Sequence, residues 1–346
     1  MLNSARVETA ESAAQAAKAE QRSYRGFAIR IGLGVTVVAF LLWHYDARPT
    51  LRAMASEPIG YFAATVALYV AGQMMSAYRW QLLARLNGVG GRYREYLSYY
   101  FIGMATNLFM PGLIGGDALR GIYLGRRHGR IGEAVASVIA DRGVGMLALF
   151  WYAGACALLI TGVPLPRAAI RATLAAAAAS VACYFAAPLI AAQARRLRGR
   201  IGMMVGLVLP YLQRPAALLP AIVLSLILQA SLAVCQYILA VGLGLKIPLT
   251  TIMLILPMAN IMTALPLTIN GLGVREAAYL VLFGFAGVGK HDAIAISLLL
   301  FAATALGGLT GVVAFMTTAV PKGEVVADGY VSTGNGVWRP DVSGEA

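Results

Sequence analysis

The chain has 346 residues, of which 59% are hydrophobic and 12% are charged, and its formal net charge is +13. A soluble domain carries about 25% charged residues, so the composition excludes a protein that is dissolved mainly in water. The basic residues stand in short clusters between apolar runs, without a basic stripe of interleaved aromatic residues, which argues against nucleic-acid binding. Clusters of this kind orient membrane spans, because positive loops stay on the cytoplasmic side.

The N-terminal part predicts a cytoplasmic polar tail over residues 1–26, followed by a first span, Ile31–Tyr45. Because the polar lead is long for a secretory signal, we expect this span to be retained. A second span is predicted from Pro58 to about Tyr78, and a basic loop follows it. Five aromatic residues in and after that loop are typical of the belt at a membrane–water interface: Trp80, Tyr93, Tyr96, Tyr99 and Tyr100.

The next apolar run, residues 97–124, is interrupted by Pro111 and Gly116 and has basic residues on both flanks. Because basic residues on both flanks mark the same side of the membrane, we expect the run to enter and leave on that side, as a re-entrant hairpin. Irregular backbone at membrane depth is tolerated only where protein or a watery cavity satisfies it, so this run is a candidate site.

The rest of the chain predicts spans at residues 131–160, 168–192, 215–243 and 293–319, with a short interfacial segment at 201–212. Arginines at 195–200 mark the cytoplasmic side. Residues 252–285 form a second broken run, whose part 274–289 is either a short span or half of a hairpin. Residues 320–346 are polar and Gly-rich, which predicts a disordered tail. The predicted fold is an all-α integral membrane protein, a polytopic helical bundle over 27–319.

The two broken runs share a pattern. Pro111, Gly116 and Arg120 have the same spacing as Pro266, Gly271 and Arg275, and an acid lies beside each arginine, Asp117 in one copy and Glu276 in the other. In the predicted topology the copies enter from opposite sides. Paired broken helices of this kind indicate inverted repeats around a midplane substrate site, with Pro111, Pro257 and Pro266 as the helix breakers.

Several charged residues fall at predicted membrane depth. Asp117 and Arg120 share a helix face and can pair. The neighbours Asp141 and Arg142 point apart and need other partners, either as an interfacial salt bridge or as substrate contacts, and both explanations remain open. Arg120 is close enough to a basic cluster to serve only as a topology marker. Arg275 follows a Gly-rich breaker, which favours a functional role.

Arginine suits a phosphate group, because its planar guanidinium binds phosphate bidentately and stays ionised at biological pH. Half-helix N-termini beside the glycines would add backbone N–H donors for the same anion. The cysteines (Cys156, Cys183, Cys235) and histidines (His44, His128, His291) are scattered without metal-ligand spacing, and the nucleotide-binding loop pattern is absent. We therefore expect neither a metal nor another cofactor.

The motifs together resemble the transmembrane flippase domain of the lysylphosphatidylglycerol synthase family. They are Arg79-Trp80, Asn107 with Pro111 and Gly116-Asp117 before Arg120, Asp141-Arg142-Gly143, and Gly271-Leu272-Gly273-Val274-Arg275-Glu276. The resemblance covers most of residues 27–319 and implies a stand-alone lipid translocator that lacks the aminoacyl-transfer domain of the full synthases. The lipid it implies is anionic or modified, or of polyprenyl or hopanoid type.

The leading hypothesis is a lipid flippase-like transporter and not an enzyme. Arg120 and Arg275 would hold the phosphate, Asp117 and Glu276 would orient them or contact an amine, and Asp141 and Arg142 would gate or complete the charge network. The predicted substrate-binding residues are Asn107, Gly116, Asp117, Arg120, Asp141, Arg142, Asn270, Gly271, Gly273, Arg275 and Glu276.

Two alternatives remain open: a membrane-embedded transferase acting on a lipid phosphate, and a secondary transporter of small solutes. The expected partner is a membrane lipid and not nucleic acid, and self-association as a homo-oligomer is compatible with the sequence. We expect the protein in the plasma (inner) membrane with a cytoplasmic N-terminus.

Overall fold

A computed structural model describes residues 47–109, 115–194, 199–263 and 274–317, together with 325–327, 330–333 and 337–340. The predicted tail 1–26 and the first predicted span lie outside the described residues. The same holds for five predicted site or hinge residues: Pro111, Pro266, Asn270, Gly271 and Gly273.

The described chain is a helical bundle with a short sheet in its tail. Its helices are α1 (Ala47–Ser56), α2 (Ile59–Leu86), α3 (Tyr93–Phe109), α4 (Gly115–His128), α5 (Ile131–Leu159), α6 (Arg167–Ala194), α7 (Gly199–Gln213), a 3₁₀ turn (Pro215–Leu218), α8 (Leu219–Gly242), α9 (Leu249–Thr263), α10 (Val274–Phe285) and α11 (Lys290–Thr317).

Five helices in the described ranges are long and apolar enough to cross a membrane: α2, α5, α6, α8 with its 3₁₀ turn, and α11. Each has at least 27 residues, whereas about 20 suffice for about 30 Å of hydrocarbon. The prediction of an all-α polytopic membrane protein is confirmed, and these spans match the predicted ones to within a few residues at most ends.

The second span was predicted to end near Tyr78, and this boundary is wrong. Helix α2 continues to Leu86 and ends where Gly88 adopts a φ of +76°. The Gly88 N–H bonds the Arg85 carbonyl at 3.0 Å, and the Val89 N–H bonds the Ala84 carbonyl at 3.0 Å, which is a Schellman ending that suits glycine. Arg79 and Trp80 therefore belong to a spanning helix and not to a loop.

Helix α5 is the centre of the bundle, since it packs against α2, α4, α6, α8 and α9. One apolar core fills the space among α8, α9, α10 and α11 and includes the fully buried Ile252, Tyr279 and Phe283. A second core lies under α4, where Trp80, Tyr96, Tyr99 and Leu124 are buried. Both cores fix the helices that carry the charged residues.

Two pairs of short helices occupy the predicted broken runs. Helices α3 and α4 pack together, as do α9 and α10, and at about 1.5 Å per residue none exceeds about 26 Å. These lengths agree with hairpins, while entry and exit on one side of the membrane stay a prediction. Pro257, predicted as a breaker, lies inside the continuous helix α9. An interior proline removes one backbone hydrogen bond without always ending the helix.

Contacts between helix ends define two sides of the bundle. The Asn87 side-chain amide donates to the Glu133 carbonyl at 3.3 Å and the Leu207 carbonyl at 3.0 Å, which joins the end of α2 to the start of α5 and to α7. On the opposite side, Thr50 Oγ1 and His291 Nδ1 lie 3.4 Å apart and join α1 to the start of α11. Helices α2 and α11 therefore begin on the same side.

The tail, predicted to be disordered, contains three short strands: β1 (Val325–Ala327), β2 (Tyr330–Thr333) and β3 (Val337–Pro340). They pair antiparallel in the order β1-β2-β3, with Val326 opposite Val331 and Ser332 opposite Trp338. Valine, tyrosine, threonine and tryptophan favour strands, which agrees with the composition of these three segments. The disorder of the tail as a whole stays a prediction.

Candidate functional site

A buried carboxylate, Asp141 on α5, receives two guanidinium groups. The Nε of Arg79 on α2 lies 2.8 Å from Asp141 Oδ1, and the Nη2 of Arg120 on α4 lies 3.0 Å from Asp141 Oδ2. The exposed fractions of the three side chains are 2% for Asp141, 10% for Arg79 and 3% for Arg120. Three helices thus meet at one charged centre, about 15 Å along α5 from its start.

The charged chain continues to the surface. Arg120 Nε lies 3.1 Å from Asp117 Oδ1, which confirms the predicted pair on one face of α4. The other oxygen of Asp117 accepts a hydrogen bond from Arg142 Nε at 2.5 Å, and 54% of the Arg142 side chain is exposed. Asp141 and Arg142 do have different partners, as expected for helix neighbours. We call these five residues the arginine–aspartate network: Arg79, Asp141, Arg120, Asp117 and Arg142.

Aromatic rings hold Arg120 in place. Its guanidinium carbon lies 4.8 Å from the centre of the Trp80 ring and 4.7 Å from that of Tyr100. The indole N–H of Trp80 donates to Ser137 Oγ at 2.9 Å. The prediction that these aromatics form an interfacial belt is wrong for Trp80, and also for Tyr96 and Tyr99, because all three are buried in the second core.

The network carries an excess of positive charge. Its three arginines face two aspartates, and Nη1 of Arg120 is buried without a hydrogen-bond partner among the described residues. Buried polar groups are nearly always paired, since leaving one unpaired costs about 1–3 kcal/mol or more when charged. The arrangement therefore offers a donor and a net charge that suit an anion.

A polar crevice leads to the network between α2 and α8. Its volume is about 130 Å³, and its polar lining consists of Tyr69, Gln73, Ser76, Arg79, Ser225, Gln229 and Ser231. Arg79 Nη1 donates to Ser225 Oγ at 2.8 Å, so the network reaches the wall of the crevice. A liquid water occupies about 30 Å³, so the crevice can hold a few waters or a small polar group.

Asn107 and Gly116, two predicted substrate ligands, bind each other. The Gly116 N–H donates to Asn107 Oδ1 at 3.0 Å, in the first turn of α4. The same turn contacts the backbone of Gly103 on α3 so closely that a Cβ on Gly116 would clash with the Gly103 carbonyl. The Gly116 donor, which was expected to bind an anion, is therefore occupied by a side chain that joins α3 to α4.

A second charged cluster lies on α10 and α11. Arg275 donates from Nε to Ser297 Oγ at 3.1 Å and from Nη2 to Glu276 Oε1 at 3.0 Å, while Ser297 donates to the same glutamate oxygen at 3.0 Å. Arg275 also lies over the Phe301 ring, 5.2 Å from its centre. Glu276 is fully buried, as an acid that orients an arginine would be.

The chain that carries these charged clusters is similar to proteins of a known family. The chain matches the family model described as the lysylphosphatidylglycerol synthase TM region over residues 27–311. The chain belongs to this family. It is also similar to a UPF0104 membrane protein of Pyrococcus horikoshii, with 27% identity over 113 residues, which cover 32% of this chain and 34% of that relative. No solved structure matches the chain.

The family match covers both charged clusters, but their described contacts share no residue. The predicted chamber formed by Arg120 and Arg275 together thus stays a prediction. Within this member of the lysylphosphatidylglycerol synthase transmembrane family, sequence reasoning left Arg79, Ser225 and Ser137 out of the site. The available signal was the Arg79-Trp80 pair, which contributed to the family resemblance but was placed in a loop.

The described histidines and cysteines of this family member are spread over the bundle. Among the described residues, no group of three or more His, Cys, Asp or Glu side chains is placed to hold a metal ion. His128 lies 3.0 Å from Glu95, and Cys156 and Cys235 are buried, whereas Cys183 is exposed.

Proposed function

We propose that this protein moves a lipid with an anionic, phosphate-containing headgroup between the leaflets of the plasma (inner) membrane. The observation that carries the proposal is the buried arginine–aspartate network, with its excess positive charge and an Arg120 Nη1 that has no hydrogen-bond partner in the part of the chain that the structure describes. Ionised side chains inside a spanning bundle are costly and mark substrate pathways, which supports a transport role.

The barrier to lipid transfer is the headgroup, because a phosphate must cross about 30 Å of hydrocarbon. A guanidinium replaces the lost water with two parallel N–H donors and an opposite charge. In this scheme the half-exposed Arg142 meets the phosphate first. Arg120 and Arg79 then supply charge deeper in the bundle, while the aspartates keep the three arginines from repelling one another.

The crevice between α2 and α8 supports the same proposal. Both helices are long and apolar enough to cross the membrane, yet the crevice between them is lined by amides and hydroxyls such as Gln73, Ser76 and Gln229. A headgroup can follow these polar groups while its acyl chains stay in the surrounding hydrocarbon. A small solute has no acyl chains, so its transport does not need a polar path that borders the hydrocarbon.

The family supports a role with lipids, since its description refers to a synthase of a modified phospholipid. A membrane-embedded transferase acting on a lipid phosphate is the alternative class, and product analysis separates the two. The cytoplasmic side is assigned to the basic loops, among them the one with Arg92 and Arg94, by the positive-inside rule.

The test is leaflet exchange of fluorescent phospholipids in proteoliposomes, with dithionite quenching the outer leaflet. We expect wild type to expose inner-leaflet lipid faster than empty vesicles, for at least one headgroup in a panel. Arg142→Gln should lower that rate at least about tenfold, because a lost charge-assisted contact is worth about 1.5–3 kcal/mol. Arg214→Gln is the matched control, since Arg214 is exposed and outside the network.

Arg275→Ala in the same assay tests whether the second cluster takes part in transport. Equal rates for wild type and Arg142→Gln, with folding intact by gel filtration, would overturn the role given to the network. New lipid species detected by mass spectrometry after incubation would instead favour the transferase.

A further inference from the structure

A groove separate from the network opens between α2, α3 and α11. Its volume is about 570 Å³, within the range of about 300–1,000 Å³ typical of ligand sites. The floor is mainly apolar and is formed by Val70, Met74, Leu97, Phe101 and Ala314, whereas the mouth is formed by Arg92, Arg94, Glu95 and Arg127. One end of the groove is therefore charged and the other is hydrocarbon-like.

The charge at the mouth is positive. Its single acid, Glu95, already lies 3.3 Å from Arg127 and 3.0 Å from His128. Arg92 and Arg94 are exposed, and no acid among the described residues pairs with either. Two guanidinium groups thus remain for an external anion.

The surroundings of the groove face lipid and not water. Met74 and Tyr78 of α2 are exposed apolar side chains, as are Leu309, Val312 and Phe315 of α11. Both helices are among those able to cross the membrane. Exposed apolar surface on spanning helices is covered by acyl chains, so the groove opens sideways into the bilayer.

We propose that this groove binds one anionic phospholipid molecule. Its phosphate lies between Arg92 and Arg94, and an acyl chain lies along Met74, Phe101 and Ala314. Such a site combines the charge attraction of juxtamembrane arginines with burial of apolar area. None of these residues belongs to the arginine–aspartate network, so the inference holds whether or not the protein moves lipid.

The experiment uses the full chain in nanodiscs of phosphatidylcholine that contain a small fraction of phosphatidylserine with a photoreactive acyl chain. After illumination, peptide mass spectrometry maps the labelled positions. We expect labelling on α3 and α11 near Phe101 and Ala314, and at least fivefold less labelling in Arg92→Gln/Arg94→Gln. The control Arg167→Gln/Arg171→Gln removes the same charge from exposed arginines of α6 and should label like wild type.

A second variant keeps the test independent of the arginines. Thr310→Trp places a large side chain in the groove and should reduce labelling while leaving the mouth intact. Photoreactive phosphatidylcholine with the same chains should label these positions several-fold less. Equal labelling by both lipids, or equal loss in the α6 control, would reduce the site to general lipid contact and overturn the proposal. Binding without leaflet exchange would sustain it while overturning the proposed transport.

Discussion

The almost fully buried Asp141 accepts hydrogen bonds from two arginines, so it balances the charge of Arg79 and, together with Asp117, that of Arg120. Removing one member of a buried ion pair leaves an uncompensated charge in a medium of low polarity. The five charged residues of the network are therefore a structural requirement of the bundle as well as a candidate substrate site.

Asp141→Asn should destabilise the protein strongly. The amide keeps the shape but leaves Arg79 without a counter-charge among the described residues and Arg120 with Asp117 alone. Removing one partner of a buried ion pair typically costs about 3–5 kcal/mol. The expected result is a melting temperature in detergent several degrees below that of wild type, measured by tryptophan fluorescence. Asp292→Asn in the first turn of α11 is the control, because losing a charge at a helix start costs only about 0.3–1 kcal/mol. Equal shifts in both variants would contradict the role of Asp141.

Glu57, in the turn between α1 and α2, makes the stability of the folded protein depend on pH. Both its carboxylate oxygens are buried without a hydrogen-bond partner among the described residues, and burial raises the pKa of Glu57 from 4.5 to about 7. A raised pKa means that the folded protein binds the proton more tightly than the unfolded chain. The stabilising contribution is thus fully present below about pH 4.5 and is lost as the pH rises to about 7.

Melting temperatures measured from pH 4.5 to 8 test this effect. Wild type should lose more stability across that window than Glu57→Gln, whose neutral amide does not titrate. Because other groups also titrate, the informative quantity is the difference between the two curves. Parallel curves would contradict the buried environment of Glu57.

At the level of elements, the crossing of α3 and α4 depends on close backbone contact. Gly103 and Gly116 face each other, and each would place an added Cβ against the carbonyl oxygen of the other. Small residues at helix crossings allow this approach in membranes, where packing replaces the hydrophobic effect as the source of association.

Gly116→Ala should destabilise the protein by about 1–3 kcal/mol, because overpacking forces the two helices apart and strains the bond to Asn107. Gly143→Ala on α5 is a matched control, since a Cβ there meets nothing within 4 Å. The control should be neutral or stabilising by up to about 1 kcal/mol, as alanine favours helix. Thermal melting in detergent compares the two, and a stable Gly116→Ala variant would contradict the close crossing.

The elements differ in how far the sequence predicts them. Apolar runs of spanning length define α5, α6, α8 and α11 well, because composition alone determines which segments enter lipid. The end of α2 was missed because an arginine in a helix resembles the start of a basic loop. The counter-charge of Arg79 is Asp141, 62 residues away, and its hydroxyl partner is Ser225, 146 residues away. A local sequence pattern does not predict pairing between such distant residues.

At the level of the molecule, the helix ends give a relative topology. The end of α2 and the start of α5 share one side, and the last turns of α11 line the groove whose mouth contains Arg92 and Arg94. The strands of the tail follow α11 and so should emerge on the side of this basic loop. By the positive-inside rule, we expect that side to be cytoplasmic.

Single cysteines in a cysteine-free variant test this topology with a membrane-impermeant maleimide on intact cells. Cysteines at Thr161 and Lys246, which are exposed positions after α5 and α8, should react directly. Cysteines at Arg92 and Ser332 should react only after permeabilisation, since their loops lie on the opposite side. Labelling of the cysteine at position 332 without permeabilisation would contradict the placement of the tail on the cytoplasmic side.

The sequence predicted part of the arginine–aspartate network. Asp117, Arg120, Asp141 and Arg142 were predicted to bind substrate, and the structure joins these four directly in one chain of ion pairs that Arg79 extends beyond Asp141. Their binding of substrate stays a prediction. The inverted repeat predicted that Arg120 and Arg275 act together, but a ten-residue match fixes neither the distance between two hairpins nor the partners each arginine meets. Those depend on the packing of α5 against both halves, which a single sequence does not specify.

The contact between Trp80 and Arg120 gives the protein a built-in optical reporter. An indole whose face lies 4.8 Å from a guanidinium carbon experiences the electric field of that cation, and its emission wavelength depends on that field. When an anion approaches Arg120, the field at the indole changes without any attached dye. In a variant that keeps Trp80 and replaces the other three tryptophans, ligand arrival at the buried Arg120 can thus be followed in real time from the emission wavelength of one native side chain.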